Sequence, residues 1–186
     1  MDESAIITSA QAGDERAFGQ LLEYRYDTIY RFAYKWCGNK SDAEDVTQQA
    51  CIKLAKGLRQ YKHEAAFTTW LYRLVINCAK DWQRQQQRHV HEPEYDTNSN
   101  CESPIPLDTA AESHKGDLAI YLNQLLAWIA LLGEEFKETI LLVFGEGLSH
   151  GEAAKILQIK ESTVSWRIHN VRKKLAEFDP TKGGPP

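Results

Sequence analysis

Residues 146–175, EGLSHGEAAKILQIKESTVSWRIHNVRKKL, carry the reading that decides the fold. Ser149 followed three residues later by Glu152 is a capping box, and it opens a short helix to about Gln158. Ile159-Lys160 leaves room only for a tight connection before a last helix, from about Ser162 to Glu177. At about 100° per residue, Val164, Ile168, Val171 and Leu175 stack on one side and face a core. Ser162, Trp166, His169, Asn170 and Lys173 then point away from it, with Arg167 and Arg172 on the flanks. Two short helices joined by a tight turn, the second one basic, form a helix-turn-helix pattern. Side chains that can hydrogen-bond or meet thymine methyls lie in the centre of the outer face, and cations for phosphates lie at its edges. A solvated basic face would look similar, but an outward tryptophan usually has something to bind.

Working outward, the rest of the chain also reads as helix, which makes the fold class all-α. On the C-terminal side of a Pro-rich stretch, Leu118, Leu122, Leu125, Ile129 and Leu132 recur at helical spacing up to Gly133, and Glu134 to Phe144 gives another helix. Nearer the N-terminus, Phe18, Leu21, Leu22, Ile29, Phe32, Ala33 and Trp36 mark a helix ending at Gly38-Asn39. Ser41 with Glu44 is a capping box for a helix to about Leu58, whose buried stripe is Val46, Ala50, Leu54 and Leu58. A third helix, from about Ala66 to Gln87, turns Leu71, Leu74, Val75, Cys78 and Trp82 inward. Between the two groups, residues 89–116 hold three prolines and an Asn-Ser-Asn cluster without sustained periodicity. They read as a flexible linker between a helical bundle over 1–88 and the helix-turn-helix domain over 117–178, with 179–186 as a disordered tail.

The 186 residues carry a net charge of -4, which at face value argues against a nucleic-acid partner. Located along the chain, the charge says the opposite. Residues 46–91 are +6 and residues 155–176 are +5, separated by -8 over 92–136. Two basic blocks suggest two anion-binding modules. On the third helix Trp70, Arg73, Asn77, Lys80 and Arg84 share the face opposite the apolar stripe, preceded by Tyr61, Lys62, His63 and Phe67. Cations interleaved with aromatics and amides suit splayed single-stranded bases. The same pattern also fits Trp70 and Phe67 as core residues of a small bundle.

Other chemistries are poorly supplied. No run of apolar residues is long enough for a membrane span, and the acidic N-terminus has no basic-then-apolar leader, so a cytoplasmic chain is expected. The four cysteines show no CxxC pair, which fits a reduced compartment. Asp42, Glu44 and Asp45 open a helix, where carboxylates are favoured electrostatically, and no neighbouring His completes a metal shell. His89, His91 and Cys101 match no closed zinc pattern. Neither an enzyme site nor a metal or cofactor is expected. Asp45, Gln49 and Ile52 instead line up on an exposed stripe suited to a partner helix.

Residues 42–61, DAEDVTQQACIKLAKGLRQY, with 67–81, FTTWLYRLVINCAKD, resemble region 2 of a bacterial sigma factor, and residues 146–175 resemble region 4. Their order and spacing are similar to those of the extracytoplasmic-function (group IV) sigma factors. The resemblance implies that Asp42, Glu44, Asp45, Gln48, Gln49 and Ile52 dock on the coiled coil of the largest subunit of core RNA polymerase, with region 4 at the flap. It implies that Tyr61, Lys62, His63, Phe67, Trp70, Arg73, Asn77, Lys80 and Arg84 melt the minus-ten element and hold it as single strand. It further implies that Ser162, Thr163, Ser165, Trp166, Arg167, His169, Asn170, Arg172 and Lys173 read the minus-thirty-five duplex. An anti-sigma factor is implied as a further partner. The chain departs from the family pattern at Ser165, Trp166 and Asn170, at Thr47 and Ala50-Cys51, and at Gly133, where a proline usually stands.

Two other readings use the same residues. One is a helix-turn-helix regulator whose N-terminal bundle dimerises or senses; the other is a nucleic-acid-processing enzyme using Asp42, Glu44 and Asp45. The regulator predicts tight duplex binding unaided, and the enzyme predicts dependence on a divalent metal.

Overall fold

The computed structural model describes residues 3–91 and 113–176, without the side chains of residues 87, 89–91, 113–120 and 123. Among the described residues every regular element is helical, and no helix is long and apolar enough to cross a membrane. Helix α1 spans Glu3–Gln11, α2 Glu15–Cys37, α3 Lys40–Gly57 and α4 Phe67–His91. A single 3-10 turn, Leu58–Gln60, closes α3. In the C-terminal half α5 spans Ser113–Leu131, α6 Glu134–Ile140, α7 His150–Leu157 and α8 Glu161–Ala176.

Helices α2, α3 and α7 start where the chain supplies a side-chain acceptor for their first free N–H groups. The Asp14 carboxylate accepts from the N–H groups of Arg16 and Ala17, at 2.9 and 3.2 Å, and opens α2. Gly38 ends that helix at φ 81°, a left-handed conformation open to glycine, and its N–H returns to the Tyr34 carbonyl. Asn39 is extended at φ -141° and accepts from the Asp42 N–H at 3.0 Å, so it caps α3. The capping box expected of Ser41 and Glu44 therefore does not form: the chain turns into helix at Lys40, which places Ser41 inside the first turn. At α7 the expected box is present in both directions between Ser149 and Glu152.

Helices α2, α3 and α4 enclose one core in which Ile29, Phe32, Leu54, Leu71 and Val75 are inaccessible or nearly so. Helix α1, not foreseen from the sequence, covers one end of α2 with Ile7 and Ala10. Thr47 is buried, and its hydroxyl donates to the Ala43 carbonyl at 2.7 Å, so a polar side chain sits here without an unmet donor. In the second half Trp128, Ile129, Phe136 and Val171 cluster between α5, α6 and α8. Leu122, expected on the inward stripe of α5, is 46% exposed.

The two halves share a core. Leu141, Leu142, Ala153, Ile156 and Val164 belong to the same buried cluster as Phe32 and Leu71. Between α6 and α7 the chain widens into a π-helical turn, Leu141–Gly145, closed by the Glu146 N–H on the Leu141 carbonyl at 2.9 Å. Helix extends three residues beyond 88 and starts at 113 rather than 117, so the stretch expected as a linker is narrower than 89–116. Its remainder, 92–112, and the tail expected at 179–186 lie outside the described residues, as does Cys101.

Candidate nucleic-acid interface

Helix α3 presents Glu44, Asp45, Gln48 and Ile52 to solvent, with Asp42 and Gln49 half-buried beside them, while Ala43, Val46, Ala50 and Leu54 fill the core. The period of the helix alone separates these two rows. Ile52 remains 48% exposed, an apolar side chain among carboxylates and amides. A concavity between α2 and α3, lined by Leu22, Tyr26, Glu44, Asp45, Gln48 and Cys51, extends the row sideways.

Helix α4 forms one wall of a groove of about 690 Å³ lined by Lys53, Trp70, Arg73, Leu74, Asn77, Lys80, Asp81 and Arg84. Five of the residues expected at the minus-ten element thus meet in one concavity. Tyr61 and Phe67 do not. Both are buried, and with the half-buried Trp70 they form an aromatic cluster with ring centroids 5.5 to 5.7 Å apart. The Tyr61 hydroxyl donates to the Ala65 carbonyl at 2.6 Å. The core alternative, raised for Phe67 and Trp70, describes Phe67, which is buried; Trp70 is half-buried and reaches the groove, and Tyr61, expected at the DNA, is buried beside Phe67. Lys62 and His63 are exposed on that loop, with His63 in the left-handed region at φ 57°. Lys53, which the sequence did not single out, pairs with Asp81 at 2.8 Å on the groove rim.

On α8 the expected division holds: Val164, Ile168 and Val171 are buried, and Ser162, Ser165, Trp166, His169, Arg172 and Lys173 are exposed. Thr163 and Asn170 are half-buried. Trp166 is 57% exposed and leans on Phe136 at 5.9 Å between ring centroids, which fixes its indole while leaving most of it in water. Arg167 departs from the expected outward position. Its guanidinium turns back to the Glu135 carbonyl and the Thr139 hydroxyl, both at 3.1 Å, and to the Glu138 carboxylate. His150, at the start of α7, touches the Ser165 hydroxyl at 2.9 Å across the turn.

Family models describe the two halves. Residues 21–89 match Sigma-70 region 2, and residues 122–175 match Sigma-70, region 4. The ECF RNA polymerase sigma-E factor of Escherichia coli is 30% identical over 178 residues, covering 94% of this chain and 93% of that protein. The chain belongs to the extracytoplasmic-function sigma factors of RNA polymerase. SigE of Mycolicibacterium smegmatis is 33% identical over 172 residues; the match takes in 89% of this chain and 64% of the length of SigE. In fold, the sigma factor resembles CnrH as solved in complex with the cytosolic domain of CnrY, with a TM-score of 0.65 at 23% identity, covering 94% of this chain and 95% of CnrH. It likewise resembles RpoE of Bartonella quintana as solved with the anti-sigma factor NepR, at a TM-score of 0.61 and 22% identity, over 86% and 94% of the two chains.

In this sigma factor the region 2 and region 4 halves meet through polar side chains, of which Lys35, Tyr72, Lys137, Glu138 and Glu146 are not singled out from the sequence, whereas Arg73 and Lys80 are expected at DNA. Lys35 Nζ donates to the Gly145 carbonyl at 2.6 Å and pairs with Glu146 at 2.7 Å. The second oxygen of Glu146 accepts from the Tyr72 hydroxyl at 2.8 Å. Burial, reinforced by that carboxylate, raises the Tyr72 phenol well above its usual range, so it stays a donor at any physiological pH. Arg73 donates through Nε to the Ile156 carbonyl at 2.9 Å and through Nη2 to that of Lys155. Lys80 pairs with Glu138. Lys137 lies 5.1 Å over the Trp36 ring, and its own burial lowers its affinity for a proton. No local pattern marks Lys35, Lys137, Glu138 or Glu146 as contacts between the halves, since a helical Glu or Lys reads the same whether it faces water or another module.

Among the described residues the thiols offer no reactive centre. Burial pushes Cys37 up to about 12 and Cys78 to about 11, and raises Cys51, which keeps all three protonated. Among the described residues no group of three or more His, Cys, Asp or Glu could hold a metal ion.

Proposed function

We propose that this sigma factor docks on the coiled coil of the largest polymerase subunit through the α3 row, with region 4 at the flap. It then opens the minus-ten element with α4 and reads the minus-thirty-five duplex with α8. The groove on α4 carries this reading. It brings a half-buried indole, an exposed amide at Asn77 and the cations Arg73, Lys80 and Arg84 into one concavity. A flipped base needs a stacking surface and hydrogen-bonding groups, and its phosphates need cations. The exposed row of α8 supplies the separate requirement of duplex reading, polar groups and an aromatic edge between flanking cations. An anti-sigma factor is a further proposed partner, on the precedent of NepR with its RpoE.

Electrophoretic mobility shifts on promoter duplex, with and without core polymerase, test the reading. Complex formation should require core; tight binding by the free chain would favour a conventional helix-turn-helix regulator. Asp45→Lys reverses one charge on the α3 row and should reduce co-purification with core roughly tenfold. Unchanged co-purification would remove α3 from the interface.

A further inference from the structure

We propose that Trp166 is the thymine-reading residue of α8, an indole braced by Phe136 that meets the C5-methyl group and O4 of one thymine in the major groove. The inference rests on the assignment of α8 as the helix that reads duplex DNA. Trp166 sits in the middle of the exposed row, with Ser162 and Ser165 before it and His169 and Lys173 after it. A tryptophan that only covers a core is buried, whereas this indole is 57% exposed. Among the described residues its ring meets one other, that of Phe136, at 5.9 Å and a tilt of 46°, and its N–H has no hydrogen-bond partner.

What holds the indole also orients it. Phe136 is buried with Trp128, Ile129 and Val171, so the wall behind the indole cannot give way without opening that cluster. The neighbouring residues repeat the contact: the Arg167 guanidinium donates to the Glu135 carbonyl and the Thr139 hydroxyl, both at 3.1 Å. Two adjacent side chains of α8 thus grip one turn of α6, and rotation of α8 is resisted where the indole emerges. A side chain held in this way gives up little rotamer freedom on binding.

Chemistry then selects the base. An indole is an apolar plate with one donor and no acceptor. In the major groove thymine alone sets a methyl group beside an acceptor, O4. Cytosine and adenine turn an amino donor toward the same place, and guanine offers acceptors without a methyl group. An apolar side chain with a single donor therefore fits thymine on both counts and each other base on one at most.

The test uses the full chain assembled with core polymerase. Selection from promoter duplexes randomised upstream of the minus-ten element yields the preferred minus-thirty-five sequence. Each thymine in it, on either strand, is then replaced singly by deoxyuridine, which removes only the methyl group. One replacement should weaken wild-type binding about fourfold, the worth of one buried methyl group. The same replacement should have no effect on Trp166→Ala, while Trp166→Phe should keep the methyl dependence. Phe136→Leu keeps the core filled but removes the flat wall, so it should lose the preference for thymine and still bind the deoxyuridine duplex as the wild type does. Trp166 is exposed, so its own variants decide the matter even where Phe136→Leu loses its helical circular dichroism. Equal methyl dependence in wild type and Trp166→Ala would overturn the proposal. So would a preferred element without thymine, or a wild type indifferent to every replacement; the indole would then belong to a protein contact. Failure of the underlying assignment looks different: no upstream sequence would be enriched at all, and the proposal would fall with it.

Discussion

Asn77 and Phe67 lie ten residues apart on α4 and have opposite fates. Asn77 is exposed in the groove, whereas Phe67 is buried against Tyr61 and Trp70. Asn77→Ala removes an amide whose partner exists only once bases are unstacked. It should slow open-complex formation roughly tenfold, the worth of about one hydrogen bond, and leave closed-complex affinity unchanged. Permanganate reactivity of melted thymines reports this directly; normal melting would take Asn77 out of the site. Both residues carry the chemistry expected of a strand-binding surface, and composition left the role of Phe67 open. The deciding factor is the loop over 61–66, whose turn brings Tyr61 back over Phe67 and Trp70. That return is a tertiary event, invisible in the helical period of α4. Arg167 illustrates the same limit. Its angle on α8 puts it at the edge of the outer face, and its length lets it reach back to Thr139 and Glu138 instead.

At the scale of elements, helix ends show how far sequence alone reaches. Ser149 and Glu152 form the expected box because Ser149 is extended, at ψ 158°, ahead of an unambiguous run of helix. Asn39 displaced Ser41 because the left-handed Gly38 leaves the next residue extended, and the first extended residue with a short acceptor becomes the cap. The short helix α1 was missed because only Ile7 and Ala10 are buried, too few to make a period. Ser149→Ala should cost about 1 kcal/mol of stability by freeing an N–H at the start of α7. The Glu152 carboxyl is held below its usual range, first by the Ser149 hydroxyl and then by the Ser149 N–H. Its folded proton affinity is depressed, so its contribution is present above the unfolded carboxylate range, near pH 4, and is lost as pH falls through the lower folded value. Urea midpoints of wild type and Ser149→Ala should therefore differ more at pH 7 than near pH 3, the part that remains in acid being the cap of the Ser149 hydroxyl on the Glu152 N–H. A difference of the same size at both pH values would exclude the Glu152 carboxylate from the cap.

For the whole molecule, the net charge of -4 conceals two basic blocks of +6 and +5. In the folded chain several cations are answered by acids of the same chain: Lys35 by Glu146, Lys53 by Asp81, and Lys80 and Arg167 by Glu138. Lys173 is exposed on the outer row of α8. Lys173→Ala should lower the salt dependence of holoenzyme binding to promoter duplex by about one unit of slope, the signature of a single phosphate contact. Filter binding between 50 and about 200 mM salt resolves that change; an unaltered slope would place Lys173 off the DNA. The all-helical class and both modules were legible because apolar periods are local. How the modules face each other was not, because it depends on Glu138 meeting Lys80 and Glu146 meeting Lys35, the latter 111 residues away in sequence.

The widened turn over Leu141–Gly145 has a consequence for reading relatives of this chain. A π-helical turn holds about one residue more than an α-helical one, and each residue advances the helix by about 100°. A homologue one residue shorter here would close the turn as ordinary α-helix and swing its α7 and α8 by about that angle. The Gly145 carbonyl would then no longer point at Lys35, and the outer row of α8 would face a different direction. A single-residue gap at this place in an alignment is therefore equivalent to a rotation of the whole reading head, and side chains that align perfectly beyond it need not occupy equivalent places on DNA.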